Sequence, residues 1–533
     1  MLRDAVAALS LANLVFLRSW DFLFAKSAST GYWSQFGSPP IEFTATLISE
    51  ILLACLLFAV FRVIRKQSQL PAKERSRALR FGTGVFFTAI IVILFLSAIV
   101  TLSSSASPSF AMAFVRRAVI VLGLLGGVLF VITYMTGRWM VLRHLLQLLV
   151  VASPLALMFA GTGAMHAIHY NPAAYANGQM APKLNPPPNA PHVLWVVFDE
   201  WDEDLSFHDR PASLRMPEMD RLRGEAFVSD NVETPGTRTD VSMPALITGR
   251  VVTDYRQLSV RKMELITPQG FVVWNDTPTV FSDIRQAGLN TAVLAWGIPY
   301  CRLFPGSLSE CDWVLDSSHE HEESLPALIG RRWRGLLETQ FRSILGQSLG
   351  TSDHAWAYHR IMEKVQREIP QQRNNLTLLH MPVPHPPFFY NAKARRDDYG
   401  AEPFSFLHSA AKGYVDMLAL VDLTLGQLRH AMEAAGKWDS TTVLLTADHP
   451  DRSRTNVDGK PIGHTVPFIL KLAGQHENFL YDRPFSALLT RQLFNAILKR
   501  EISTPQEVAG WLDKHSGDFP VSHQPQNPIS ARP

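Results

Sequence analysis

The sequence predicts an N-terminal transmembrane bundle of about five helices, joined to an α/β sandwich with a mostly parallel central sheet. Three observations carry the prediction. Long apolar runs are confined to the chain up to about Gly161, a Pro-rich stretch ending in LNPPPNAPH follows, and strand-like and helix-like segments alternate after His192. At 533 residues the chain is too long for one ordinary domain. The expected organisation is a transmembrane helical domain over 1–161, a linker over 162–191, an α/β domain over 192–500 and a tail over 501–533. The formal net charge of +3 gives no warrant for nucleic-acid binding, which needs a clustered basic face.

Within the bundle, Phe81–Leu102 (FGTGVFFTAIIVILFLSAIVTL) carries no charge and is long enough to cross the hydrocarbon core as a helix. Similar runs lie at about Thr44–Ile64, Ala118–Met135 and Leu142–Gly161, while Ala5–Ala25 is interrupted by Arg18 and Asp21. Between the second and third runs lie Arg62, Arg65, Lys66, Lys73, Arg75, Arg77 and Arg80 against a single acid, Glu74, so this loop is expected in the cytoplasm. Arg116 and Arg117 dissent from the alternation, and the basic loop outweighs them. Everything after Gly161 is then extracytoplasmic, on an integral protein of the cytoplasmic (inner) membrane, with a periplasmic or extracellular C-terminal domain. Ionisable groups in spans are costly, so Arg18, Asp21 and Glu50 are candidates to pair with one another or to touch a lipid headgroup. Snorkelling near a helix end accounts for Arg18 and Asp21 equally simply.

The linker's prolines cannot hold a helix and run extended to the domain. There VLWVVF, Val193–Phe198, is a continuous apolar run that suits a strand buried on both faces of a parallel sheet. Further strands are expected at Asn290–Ala295, Leu376–Leu379, Thr442–Thr446 and Val466–Leu472, with helices at Thr279–Ala287, Lys412–Ala435 and Ser486–Leu498. Cys301 and Cys311 bracket a Pro/Gly loop and can either close a disulfide, as an oxidising compartment permits, or remain thiols. The tail after about His515 is polar and Pro-rich, and is expected to be loose.

Three separated pieces carry chemistry. VVFDEW ends an apolar strand in Asp199 and Glu200, and LLTADHPDRS ends another in Asp448 and His449. Carboxylate oxygen and imidazole nitrogen are what a divalent cation takes, although either pair alone reads as a turn or a helix cap. Between them TPGTRTDVSMPALITGR sets Thr239 just before a helix-like stretch, Asp240–Thr248, closed by Gly249. A hydroxyl there sits in a field that favours anions, and a bound metal makes it a usable nucleophile. As a plain helix cap it would do neither.

Together these pieces resemble the alkaline phosphatase/sulfatase superfamily, especially its membrane-bound phosphoethanolamine and phosphoglycerol transferases of the lipoteichoic acid synthase-like kind. The resemblance spans about Pro191–Leu498. It runs through PHVLWVVFDEW, MPEMDRLRGEAF, GTRTDVSMP, LITGR, HMPVPHPPFFY and GYVDMLALVDLTLGQL before STTVLLTADH. It implies an alkaline phosphatase-like fold and a divalent metal, zinc or manganese, held by Glu200, Thr239, Asp448 and His449 with Asp199 as an additional ligand. It also implies Thr239 as nucleophile and His385 as the group that binds the phosphate or protonates the leaving group. His464 is a further candidate for that face, and His380 a weaker one. Sulfatases oxidise a Cys or Ser within C/S-x-P-x-R; here Thr239 stands with Met243 in the arginine's place, and a threonine cannot become that aldehyde. Pro450 also replaces the family's usual glycine. The function implied is a metal-dependent phosphotransferase working through a phospho-threonine, with a membrane lipid as headgroup donor and a lipid or glycan as acceptor. The alternatives are a sulfatase-like or phosphodiester hydrolase, and a relative that binds a glycan or lipid without turnover.

Overall fold

The computed structural model describes residues 1–27, 37–68, 153–316, 323–345, 349–398, 410–451 and 464–521, with a few isolated positions. They fall in two compact units.

The first unit contains α1 (Leu2–Ser27), α2 (Pro40–Ser68) and α3 (Ser153–Ile168). Three stretches are long and apolar enough to cross a membrane: Leu2–Phe24, Pro40–Val63 and Leu149–Ile168. The first two match the expected first two spans; those expected at 81–102 and 118–135 lie outside the described residues. The last runs past Gly161 to Ile168, so the first residues assigned to the linker are helical: after Pro154 in the first turn, the next proline is Pro172. Small residues let the helices approach closely. Ala7, Ala8 and Ala12 are buried with Leu57 and Phe61, and a Cβ at Gly163 would sit 2.6 Å from the Trp20 ring. Arg18 and Asp21 are exposed, whereas Glu50 is buried and accepts from Trp20 Nε1 (2.8 Å) and Asn13 Nδ2 (3.3 Å). The three therefore do not meet, as snorkelling of the first two requires.

A fourth element of this unit is the helix Leu325–Leu345, which the sequence reading did not anticipate. Its buried Arg332 lies 3.3 Å from the buried Glu42 carboxylate, and Trp333 packs edge-on to Phe16 at 5.8 Å.

The second unit is organised by one eight-stranded sheet. Its strands are β1 (His192–Asp199), β2 (Phe227–Ser229), β3 (Thr291–Trp296), β4 (Glu310–Val314), β5 (Leu376–Pro384), β6 (Thr441–Ala447), β7 (Phe468–Lys471) and β8 (Phe479–Leu480). They lie in the order β8-β2-β7-β6-β1-β5-β3-β4. β6, β1, β5, β3 and β4 are parallel; β7 runs against its neighbours β6 and β2. The accompanying helices are α4 (Pro217–Arg223), α5 (Thr239–Thr248), α6 (Val280–Gln286), α7 (Leu349–Glu368), α8 (Ala410–Ala434), α9 (Thr490–Leu498) and α10 (Pro505–His515).

β1 occupies the centre because almost every residue in it is apolar and both faces are covered: Val193 to Phe198 are all buried. Each such side chain contributes about 1.5–3 kcal/mol of burial. Trp195, fully buried, packs edge-on to Phe494 of α9 at 5.2 Å. The long α8 is tied to α4 by Asp422, whose carboxylate accepts the Met219 N–H at 2.7 Å at the start of α4. Cys301 and Cys311 are bonded. The part of the 501–533 stretch up to His515 is mostly helical. Thr504 and Glu507 form a capping box for α10, whose Val508 and Leu512 are buried.

Candidate active site

Parallel strands converge their carboxyl ends, and the predicted residues lie there. Asp199 is the last residue of β1, and Asp448 and His449 follow β6, which pairs with β1 in register (Phe198 with Ala447). His385 follows β5, where Pro384 is the partner of Asp199. α5 begins at Thr239 and is preceded by Arg238 in an extended conformation. Gly249, at φ 61°, closes it in the left-handed conformation expected of a helix-ending glycine. The turn before α5 needs its other glycine for space: a Cβ at Gly236 would meet Ser242 Oγ and Val241 Cγ1 at 2.9 Å.

Ligand atoms of Asp199, Asp448 and His449 all lie within 4.8 Å of one another, and the three side chains are fully buried. The half-buried Thr239 joins them: Oγ1 is 3.2 Å from Asp199 Oδ2 and 3.3 Å from His449 Nε2. Proton positions can be assigned from the partners. His449 Nδ1 faces the Pro450 carbonyl at 2.9 Å, which only an N–H can satisfy, so in the neutral ring Nε2 turns a lone pair inward. Asp448 Oδ1 accepts the Glu200 and His449 backbone N–H groups at 3.1 and 2.8 Å, while its buried Oδ2 has no hydrogen-bond donor among the described residues. Two buried carboxylates, an inward imidazole lone pair and a hydroxyl around one point fit a divalent cation of the carboxylate- and imidazole-binding kind.

Glu200 is not among the clustered groups. Its backbone adopts φ 65°, with the N–H facing Asp448 and the carbonyl accepting from Tyr414 Oη at 2.6 Å. Tyr414 Oη also receives the Asp202 N–H at 3.0 Å, and burial holds its own proton on, well above the usual tyrosine range. The acidic turn thus gives the site Asp199 through its side chain and Glu200 through its backbone.

His380 on β5 is fully buried, with Nε2 3.7 Å from Asp199 Oδ2; burial pushes its pKa down to about 4, so it is neutral at physiological pH. His464 is half-buried, and its carbonyl accepts the Thr234 N–H at 2.8 Å. Sequence reasoning missed two residues. Thr234 Oγ1 lies 2.8 Å from both the Asp448 and Gly236 carbonyls, knitting the nucleophile turn to the end of β6. Arg238, beside Thr239, pairs with Asp240 (2.8 Å) and Asp254 (3.0 Å), and the Asp240 hydrogen bond raises its pKa. Adjacency to the reactive threonine was the only available signal for either.

A hydroxyl at the start of a helix thus stands among buried carboxylates and an imidazole at the carboxyl edge of a parallel sheet. The chain belongs to the sulfatase family, whose profile matches residues 191–489. Solved structures similar to it include the phosphonate monoester hydrolase of Agrobacterium radiobacter, at 17% identity and TM-score 0.39, covering 58% of this chain and 74% of that one. Another is the lipoteichoic acid synthase LtaP from Listeria monocytogenes, at 13% identity and TM-score 0.39, covering 59% and 75%. A third is the PsFucS1 sulfatase from Pseudoalteromonas sp., at 14% identity and TM-score 0.39, covering 61% and 74%.

Proposed function

We propose that the protein is a membrane-anchored, metal-dependent phosphotransferase that passes a phospho-headgroup through a covalent phospho-threonine at Thr239. The observation that carries this reading is the position of Thr239 Oγ1, at the start of α5 and 3.2–3.3 Å from Asp199 and His449. Asp199, Asp448, His449 and the Thr239 hydroxyl would hold the cation, zinc or manganese; Glu200 enters through its backbone. The bound cation would supply Lewis-acid chemistry: a lowered hydroxyl pKa and charge neutralisation on phosphoryl oxygens.

The chain's own groups then divide the work. Thr239 sheds its proton along the hydrogen bond to Asp199 and forms the Oγ–P bond as the donor's P–O bond breaks. His385, with His464 as a second candidate on that face, protonates the departing alkoxide. In the second step an acceptor hydroxyl gives its proton to the same histidine and attacks phosphorus, and Thr239 leaves, taking its proton back from Asp199.

Three apolar spans favour a membrane lipid as donor and a lipid-linked or glycan acceptor. The basic residues Arg62, Arg65 and Lys66 at the end of α2 favour a cytoplasmic position for that end. The Cys301–Cys311 disulfide suits an oxidising, extracytoplasmic location for the α/β domain on the inner membrane. Incubation with a headgroup-labelled phospholipid tests the reading: label is expected on wild-type protein and product and on neither with Thr239→Ala. Unchanged transfer by that variant would rule out the nucleophile. Turnover of a chromogenic phosphodiester with no acceptor requirement would make the enzyme a hydrolase.

A further inference from the structure

His354 on α7 is fully buried and lies outside the clustered groups around Thr239. Its Nδ1 is 3.1 Å from both carboxylate oxygens of Asp316, and its Nε2 is 3.0 Å from the Pro382 carbonyl and 3.1 Å from the His385 carbonyl. A carbonyl can only accept, and so can an ionised carboxylate, so each ring nitrogen must carry a hydrogen to satisfy its partners. Asp316 is held in turn: Trp296 Nε1, at the end of β3, donates to its Oδ1 at 2.8 Å. The Trp296 ring stands edge-on to His354 at 5.3 Å and lies 5.1 Å from the His385 ring.

We infer that the half-buried Asp316 and the buried His354 form a carboxylate–imidazolium pair that positions His385, by clamping the two backbone carbonyls of Pro382 and His385 at the end of β5. Charge and geometry agree. Burial alone would raise the Asp316 pKa, but the neighbouring His354 charge and the His354 and Trp296 hydrogen bonds bring it below the usual range. The clamp is strong because each bond involves an ionised partner. It also joins the chain ends that flank the helix Leu325–Leu345, since Asp316 follows β4 and His354 lies in the second turn of α7. Neither residue is assigned contact with substrate. Both act through His385, and the catalytic half of the inference rests on the role given to His385 above.

The test has two arms on the full-length protein in detergent. In the first, ¹⁵N-histidine labelling near neutral pH is expected to show hydrogens on both nitrogens of the His354 ring. That signal is lost in His354→Gln and collapses to a single N–H in Asp316→Asn. A singly protonated His354 ring in the wild type would overturn the pair. In the second, turnover of a chromogenic phosphodiester should fall about 10–100-fold in kcat for Asp316→Asn and His354→Gln, as for other residues that orient an active group. The His354→Gln/His385→Ala double variant should be no slower than His385→Ala alone, because a residue that acts only through His385 has nothing left to position. Independent, multiplying losses would overturn the positioning role. Full activity in His385→Ala would sink the acid role of His385 and the catalytic half of this inference. The labelling arm judges the ion pair separately.

Discussion

Thr239 Oγ1 and His449 Nε2 stand 3.3 Å apart although 210 positions separate them in the chain. The contact exists because α5 starts where β6 ends, and the Thr234 hydroxyl, between the Asp448 and Gly236 carbonyls, fixes that meeting. Replacing Thr239 by Ala should lower turnover by a factor on the order of 10³–10⁶, whereas Ser should retain part of it. Intact-mass analysis of trapped wild-type protein should show one added phospho-headgroup, absent in the Ala variant.

Metal removal should cost stability as well as activity. Chelation is expected to abolish turnover, and restoring zinc or manganese should raise the melting temperature. A ligand at about 100 times its Kd stabilises by about 2.7 kcal/mol. Asp448→Asn should remove most of that metal-dependent shift in differential scanning calorimetry.

Tyr414→Phe should destabilise the α/β domain by about 1–3 kcal/mol, because it strands the Glu200 carbonyl and the Asp202 N–H in a buried place. Urea titration followed by tryptophan fluorescence measures it. The same variant frees the backbone that holds Asp448 Oδ1, so metal affinity should fall too.

Arg332→Ala should destabilise the helical unit, because removing one partner of a buried pair typically costs about 3–5 kcal/mol. The charge-exchanged protein, Glu42→Arg with Arg332→Glu, should recover part of the loss. Thermal melts in detergent read both.

Asp422 gives a pH signature. Burial raises its pKa to about 6, above the ordinary aspartate value, so the folded protein binds this proton more tightly than the unfolded chain. Its contribution to stability therefore declines as pH rises from about 4 to about 6 and stays lower beyond. Asp422→Asn keeps an oxygen for the Met219 N–H and has no charge to bury. Its melting temperature relative to wild type should become more favourable between pH 5 and pH 7.

Much of this was readable because the residues that set it are locally unambiguous. Val193–Phe198 can hardly be anything but a two-sided buried strand, and Asp448-His449 after Thr442–Thr446 repeats the pattern. The parts that escaped depend on partners distant in sequence. Nothing in LPALIGRRWRGLL says that its arginine will find Glu42, 290 positions away. The three-stranded antiparallel sheet formed by Asp254–Ser259, Lys262–Thr267 and Gly270–Val273 mixes polar and apolar residues without a buried run, so it gives little strand signal. Glu200 offers a carboxylate after a strand in the sequence; its left-handed backbone, which no residue type announces, also turns its amide toward Asp448.

The docking of Leu325–Leu345 among the N-terminal helices has a practical corollary. A recombinant fragment begun at the Pro-rich stretch would carry this helix away from Phe16 and Glu42, leaving Trp333 without its aromatic neighbour and Arg332 without its counter-ion. Cutting the gene at the obvious sequence boundary would thus manufacture a sticky surface, and secreted versions should omit the helix or retain the first two spans.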